Sequence, residues 1–196
     1  MKQPLGRPRD DRVDRAIATA TRAVLAESGY AQLTVDAVAA RAGVGKAAIY
    51  RRHTTKQQMI FAAVLHDLEI APPPDSGSMR GDLTALLRDI AVNLTTPPAG
   101  VVPGLLADVH GDPALAATFV STFVAAERGC VEEVLDRAVA RGELPRRPDP
   151  AVVHALLLGP VFAWLFLLQE DPARLGTVTA ALAEAAAAAL SDVAPG

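Results

Sequence analysis

Apolar positions recur at helical spacing almost from the start of this chain. Val13, Ile17, Ala20 and Val24 follow at intervals of four, three and four, and Ala16, Ala23 and Leu25 widen the stripe. That pattern predicts an amphipathic helix, which Gly29 is placed to stop. Thr34 then stands as an N-cap, with Asp36 in the first turn where a carboxylate suits the helix dipole. Val35, Val38, Ala39 and Ala42 form the apolar face of this second helix. Gly43 breaks it, Val44 turns inward, and a short third helix is predicted over about 45–53. A fourth, over about 55–69, turns Met59, Ile60, Ala63 and Val64 inward.

The clearest interruption is 71–79 (APPPDSGSM), because three consecutive prolines cannot continue a helix. Beyond it the pattern predicts helices over about 80–94, 100–110, 113–141, 150–169 and 172–192. Asp112-Pro113, Asp149-Pro150 and Asp171-Pro172 mark three of their starts, each setting a capping carboxylate before a proline at the first helical position. The expected organisation is a flexible basic arm (1–12), a helical head with its connecting helix (13–70) and a helical body (79–196). Half of the residues are apolar, dominated by Ala, Leu and Val, and only 4% are aromatic, so the fold class expected is all-α.

Charge sharpens the division. The net charge is −3, yet residues 1–56 hold eleven Lys and Arg against five Asp and Glu, and the remainder eight against seventeen. A basic head on an acidic body separates a module suited to phosphate from one that is not. The single cysteine, Cys130, excludes an intramolecular disulfide framework and fits a reducing cytoplasm. No secretory signal is read in the first residues. The most apolar run, 155–168, is shorter than the ~20 residues a membrane span needs and contains Pro160, so a buried helix is expected and no membrane partner. There is no phosphate-cradling glycine loop, no paired His at metal spacing and no nucleophile motif, so neither an enzyme, a metal nor a cofactor is expected.

Two short helices joined by a turn containing Gly43 match the helix-turn-helix, whose second helix can enter a major groove. On that helix Lys46, Ala47, Tyr50 and Arg51 share one face, while Ile49 points inward. Small side chains at Ala47 and Ala48 let the backbone approach the bases, and an Ala methyl suits a thymine methyl. Lys46 and Arg51 have the reach for guanine acceptors or phosphates. Tyr50, Arg52, Thr34 and Lys56 suit phosphate, the last two because each stands near a helix N-terminus. Arg7 and Arg9, in a stiff Gly-Arg-Pro-Arg segment, suit a minor groove.

The stretch 33–67, LTVDAVAARAGVGKAAIYRRHTTKQQMIFAAVLHD, resembles the signature of the tetracycline-repressor (TetR/AcrR) family. Thr34, Val38, Ala39, Ala42-Gly43-Val44, Ile49, Tyr50, Lys56 and Met59 fall at matching positions. Gly45 stands where the family has a Ser cap, His53 where it has an aromatic, and Gln57 where it has Glu. Losing the hydroxyl cap to Gly costs only a few tenths of a kcal/mol. His53 is expected to be a neutral packed histidine.

The resemblance implies double-stranded operator DNA as partner, a homodimer formed through the last two long helices, and a small-molecule effector held in the body that releases a repressor from its operator. A dimeric DNA-binding protein without an effector is the alternative. The apolar lining candidates are Leu105, Leu106, Phe119, Phe123, Phe162, Trp164 and Phe166, with His110, Asn93, His154 and Cys130 as polar anchors. The segment 150–169 is apolar nearly all round and needs cover on several sides. Thr177, Ala181, Ala185 and Ala188 offer a face for close helix approach.

Overall fold

The computed structural model describes residues 11–65, 68 and 70–192, and among them every regular element is helical. In chain order these are α1 (Asp11–Gln32), α2 (Val35–Ala42), α3 (Lys46–Tyr50), α4 (Lys56–Leu65), α5 (Met79–Thr95), α6 (Val101–Gly111), α7 (Pro113–Phe119), α8 (Ala125–Ala140), α9 (Pro150–Phe162) and α10 (Leu175–Ser191). A wider π-helical turn, Val120–Val124, joins α7 to α8, and a second, Ala163–Leu167, extends α9. The chain forms two compact units, one of residues 1–67 with 98–111, the other of 68–97 with 112–196.

In the first unit Ile17, Leu25, Leu33, Ile49, Met59 and Ile60 are each 1% exposed or less. Burying each is worth roughly 1.5–3 kcal/mol. Helix α1 runs past the expected stop, with Gly29 as a kink inside it (φ 74°). The Thr34 hydroxyl caps α2 by accepting from the Ala37 amide at 3.2 Å. Gly43 ends α2 in the left-handed region (φ 67°), its amide reaching the Ala39 and Ala40 carbonyls, a conformation that an L side chain resists.

Helix α6, grouped with the body on sequence, packs in the first unit. Val101 is fully buried in the core of α1, α2, α3 and α4, and Leu105 is 6% exposed. The spacing of apolar residues shows that a helix needs cover but not which core supplies it.

In the second unit α5, α8, α9 and α10 enclose Leu83, Leu87, Val134, Leu135, Leu157 and Ala183. The three Asp-Pro starts are real caps: Asp112 accepts from the Ala114 and Leu115 amides, Asp149 from Ala151 and Asp171 from Ala173. Pro160 lies inside α9, and the π turn begins three residues later. A proline removes one helical hydrogen bond and crowds the preceding turn, which favours such irregular winding. By length and composition alone Pro150–Leu167, with a mean hydropathy of 1.9, could cross a membrane, as could Pro113–Ala140 and Pro172–Ser191.

Candidate functional site

Helix α3 is short, and Ile49 is its one buried residue. Ile49, 1% exposed, fixes it to the head core. Gly45 caps it through backbone only, its carbonyl accepting from Ala48 at 2.8 Å. Lys46, Ala47, Tyr50 and Arg51 are all exposed, Tyr50 by half its surface. Alanine at 47 lies among three longer exposed side chains. Lys46 pairs with Asp36 at 2.9 Å across the turn, an exposed bridge worth little to stability.

Arg52 is placed differently. Its Nε donates to Asp14 of α1 and one terminal nitrogen donates to the Ala48 carbonyl at 3.1 Å, so its guanidinium braces α3 against α1. Beside it, half-buried His53 has its pKa pushed below 6.5, first by burial and then by the Arg52 charge, with Asp14 opposing. The imidazole therefore stays neutral at neutral pH. Asp14 is the partner that spacing on α3 could not reveal.

Thr34 is exposed at the start of α2. Lys56, the first residue of α4, donates from Nζ to the Leu33 carbonyl at 3.3 Å and lies 6.0 Å from the Tyr30 ring centre. The ammonium is thereby held next to Thr34 in the chain. Tyr30 in turn donates its hydroxyl to Asp108 Oδ2 at 2.5 Å. Burial first, and Asp108 second, push the Tyr30 pKa upward, so the hydroxyl remains a donor. Arg7 and Arg9 lie outside the described residues. Sequence reading passed over an open groove along α1 lined by Arg12, Arg15 and Arg41 above an alanine floor, although Arg12 and Arg15 stand one helical turn apart.

The pocket candidates are dispersed. Leu105 and His110 belong to the first unit, Leu105 buried and His110 exposed. In the second unit Phe119 and Phe123 stack at 5.3 Å across one π turn, and Phe162 and Phe166 meet at 4.8 Å across the other. Trp164 is held by its own neighbours, its Nε1 donating to the Asp171 carbonyl at 3.3 Å and the Arg174 guanidinium lying over its ring at 5.3 Å.

None of these seven lines the small cavity of about 20 Å³ bounded by Leu86, Asp89, Ile90 and Asn93 of α5 and by Glu127 and Cys130 of α8. That volume suits about one water. Glu127, 5% exposed, lies 3.1 Å through Oε2 from Nε2 of the equally buried His154. Burial raises the pKa of Asp89 and of the Cys130 thiol. Glu127 was missed on sequence, although its spacing to Val131 and Val134 puts it on the buried stripe of α8. Among the described residues no group of three or more His, Cys, Asp or Glu is placed to hold a metal ion.

This architecture has matches among known proteins. The family model for bacterial regulatory proteins of the tetR family matches residues 17–63, and the model for the tetracyclin repressor-like C-terminal domain matches 73–190. The uncharacterized HTH-type transcriptional regulator YdeS of Bacillus subtilis (strain 168) is 31% identical over 172 residues, covering 87% of each chain. A crystal structure of a TetR family transcription regulator superimposes with a TM-score of 0.69 at 28% identity, over 88% of this chain and 97% of the other. The fold is also that of the regulator FadR from Bacillus subtilis, solved in complex with stearoyl-CoA, at 17% identity and a TM-score of 0.62 over 88% of this chain and 97% of that one. With both of its parts so matched, the chain belongs to the TetR family of DNA-binding transcriptional regulators and is not an enzyme.

Proposed function

We propose that the protein is a cytoplasmic homodimeric repressor that binds a two-fold operator through α3 and is released by a small apolar or amphipathic effector. The observation that carries the DNA reading is the exposed face of α3, where Ala47 lies low among Lys46, Tyr50 and Arg51 while buried Ile49 holds the helix in place. Thr34 and Lys56 supply phosphate contacts beside it.

Dimerisation is supported by what α9 and α10 leave uncovered. Val152, Ala155, Leu156 and Gly159 recur at helical spacing and are all exposed, Val152 by 64% and Leu156 by 46%. On α10 Thr177, Ala181, Ala185 and Ala188 are exposed too. A second copy buries both stripes at once, as a closed two-fold interface requires. The same cover accounts for the apolarity of Pro150–Leu167 without a membrane.

An effector acts only through different affinity for the DNA-bound and released states. The effector reading draws on family membership and on FadR, whose structure holds an acyl-CoA. A second reading, a dimeric DNA-binding protein with no small-molecule effector, is favoured by the one-water size of the cavity between α5 and α8.

Selection of duplexes from a randomised pool by the purified full chain tests both. Recovery of an inverted repeat with half-sites about one helical turn apart supports the dimeric operator reading. Binding without sequence preference overturns it. Titration of the bound complex with stearoyl-CoA and free fatty acids of graded length then separates the two readings by release or its absence.

A further inference from the structure

Tyr30, outside every predicted DNA contact, is joined to two other helices at once. Its hydroxyl meets Asp108 of α6 at 2.5 Å, the length of a charge-assisted hydrogen bond. Its ring lies against Gly104, one turn earlier on α6, so closely that a Cβ added there would fall 2.5 Å from Cδ1 and 2.8 Å from Cγ. Real Cβ atoms do not approach so near, so only glycine lets α6 and the ring meet at this distance. The second helix is α4, at whose start the Lys56 ammonium lies 6.0 Å from the ring centre and donates to Leu33.

From this juxtaposition we infer that Tyr30 is a positioning residue for DNA binding: clamped by Gly104 and Asp108, its ring holds the Lys56 ammonium in place to meet an operator phosphate. The inference rests on the reading of Lys56 as a phosphate contact. A lysine on its flexible stem loses much rotamer freedom when it is fixed on a partner. Here a carbonyl and an aromatic face fix it beforehand. An ammonium has three N–H donors, and Leu33 takes one, which leaves two for phosphate oxygens. The hydrogen bond to Asp108 keeps the ring from turning away, and Gly104 keeps α6 close enough for that bond to form.

The test uses the full chain and its selected duplex, with affinity followed against salt. Removing one cation from a phosphate lowers the slope of log K against log salt by about one. Lys56→Ala is expected to show that drop, and Lys56→Arg to keep the slope. Tyr30→Phe, Asp108→Asn and Gly104→Ala are each expected to reproduce the Lys56→Ala drop and to add nothing in a Lys56→Ala background. A thermal melt of each variant reports whether the chain is folded, and the near-isosteric Tyr30→Phe and Asp108→Asn guard against collapse of the head. A Lys56→Ala slope equal to wild type overturns the phosphate reading, and the clamp with it. A reduced Lys56→Ala slope beside unchanged slopes in folded Tyr30→Phe and Asp108→Asn overturns the clamp alone.

Discussion

Arg141 Nη2 donates to Asp82 Oδ2 at 2.9 Å, and the Asp82 side chain has no exposed surface. Ser76 donates to the other carboxylate oxygen from its hydroxyl at 2.7 Å and its amide at 2.8 Å. The same guanidinium reaches Asp75 at 2.8 Å and Glu143 at 2.6 Å. One arginine after α8 thus fastens the start of α5 to the loop before it.

Burial works to raise the Asp82 pKa, but the hydrogen bonds from Ser76 and Arg141 outweigh it and hold the carboxyl below 3.8. A folded pKa below the unfolded one gives stabilisation that is full above the unfolded value and disappears as pH falls through the folded one. Asp82→Asn is therefore expected to flatten the acid limb of the stability curve. Arg141→Ala, which strips the buried carboxylate of its charged partner, should cost about 3 kcal/mol at neutral pH. Urea unfolding of the full chain checks both, and a decrease under about 1 kcal/mol for Arg141→Ala would remove Arg141 as the fastening.

His53 gives the same sign at a higher pH. Its folded pKa lies below 6.5, so the unfolded chain binds the proton more readily, and stability declines as pH falls from about 6.5 toward the folded value. His53→Phe removes the titrating group, and the head of this variant should show no such decline. Hydrogen exchange of the α3 and α4 amides at about pH 7.5 and about pH 5.5 reads the difference; equal pH sensitivity in both proteins would contradict it.

Tyr50→Ala should weaken operator binding by about 1–3 kcal/mol with the thermal midpoint nearly unchanged, because the side chain is half exposed and packs little. Ala47→Glu should be more severe, since it raises both bulk and negative charge where the duplex would approach. Fluorescence anisotropy with the selected duplex measures each. Wild-type affinity in both variants would move the contact face off α3.

Leu156→Arg places a charge in the exposed stripe of α9 and should convert a dimer to monomer in sedimentation analysis while the helical circular dichroism signal persists. Operator affinity should then fall steeply with protein dilution. An unchanged sedimentation coefficient would place the interface elsewhere.

Much of this was legible from local chemistry. The period of apolar residues located the helices, Gly43 and Thr34 showed their turn and cap in the residue types themselves, and the three Asp-Pro pairs marked helix starts that the structure bears out. Exposure along α3 also followed from period, because burial of Ile49 dictates which neighbours point outward. What escaped were pairings between residues distant in sequence. Arg52 reads as a free basic residue until Asp14 is brought beside it, and Leu105 and His110 read as body residues until Val101 is found in the head core. Glu127 and His154 are 27 residues apart, and no local rule joins them. The aromatic residues were chosen by size, whereas the cavity between α5 and α8 is walled by aliphatic side chains, by Asp89 and Glu127, and by Asn93 and Cys130, two of the residues read as polar anchors.

The placement of α6 also constrains how the head is made. Its core is discontinuous in the chain, completed by Val101 only after the intervening α5 has been synthesised. At about 5–20 residues per second on a ribosome, the segment from 68 to 111 takes roughly two to nine seconds to follow the first four helices. During that interval the nascent head has an unfilled wall, so a chain cut at residue 67 is a fragment with an exposed core rather than a minimal DNA-binding domain, and the smallest autonomous head must carry 98–111 with it.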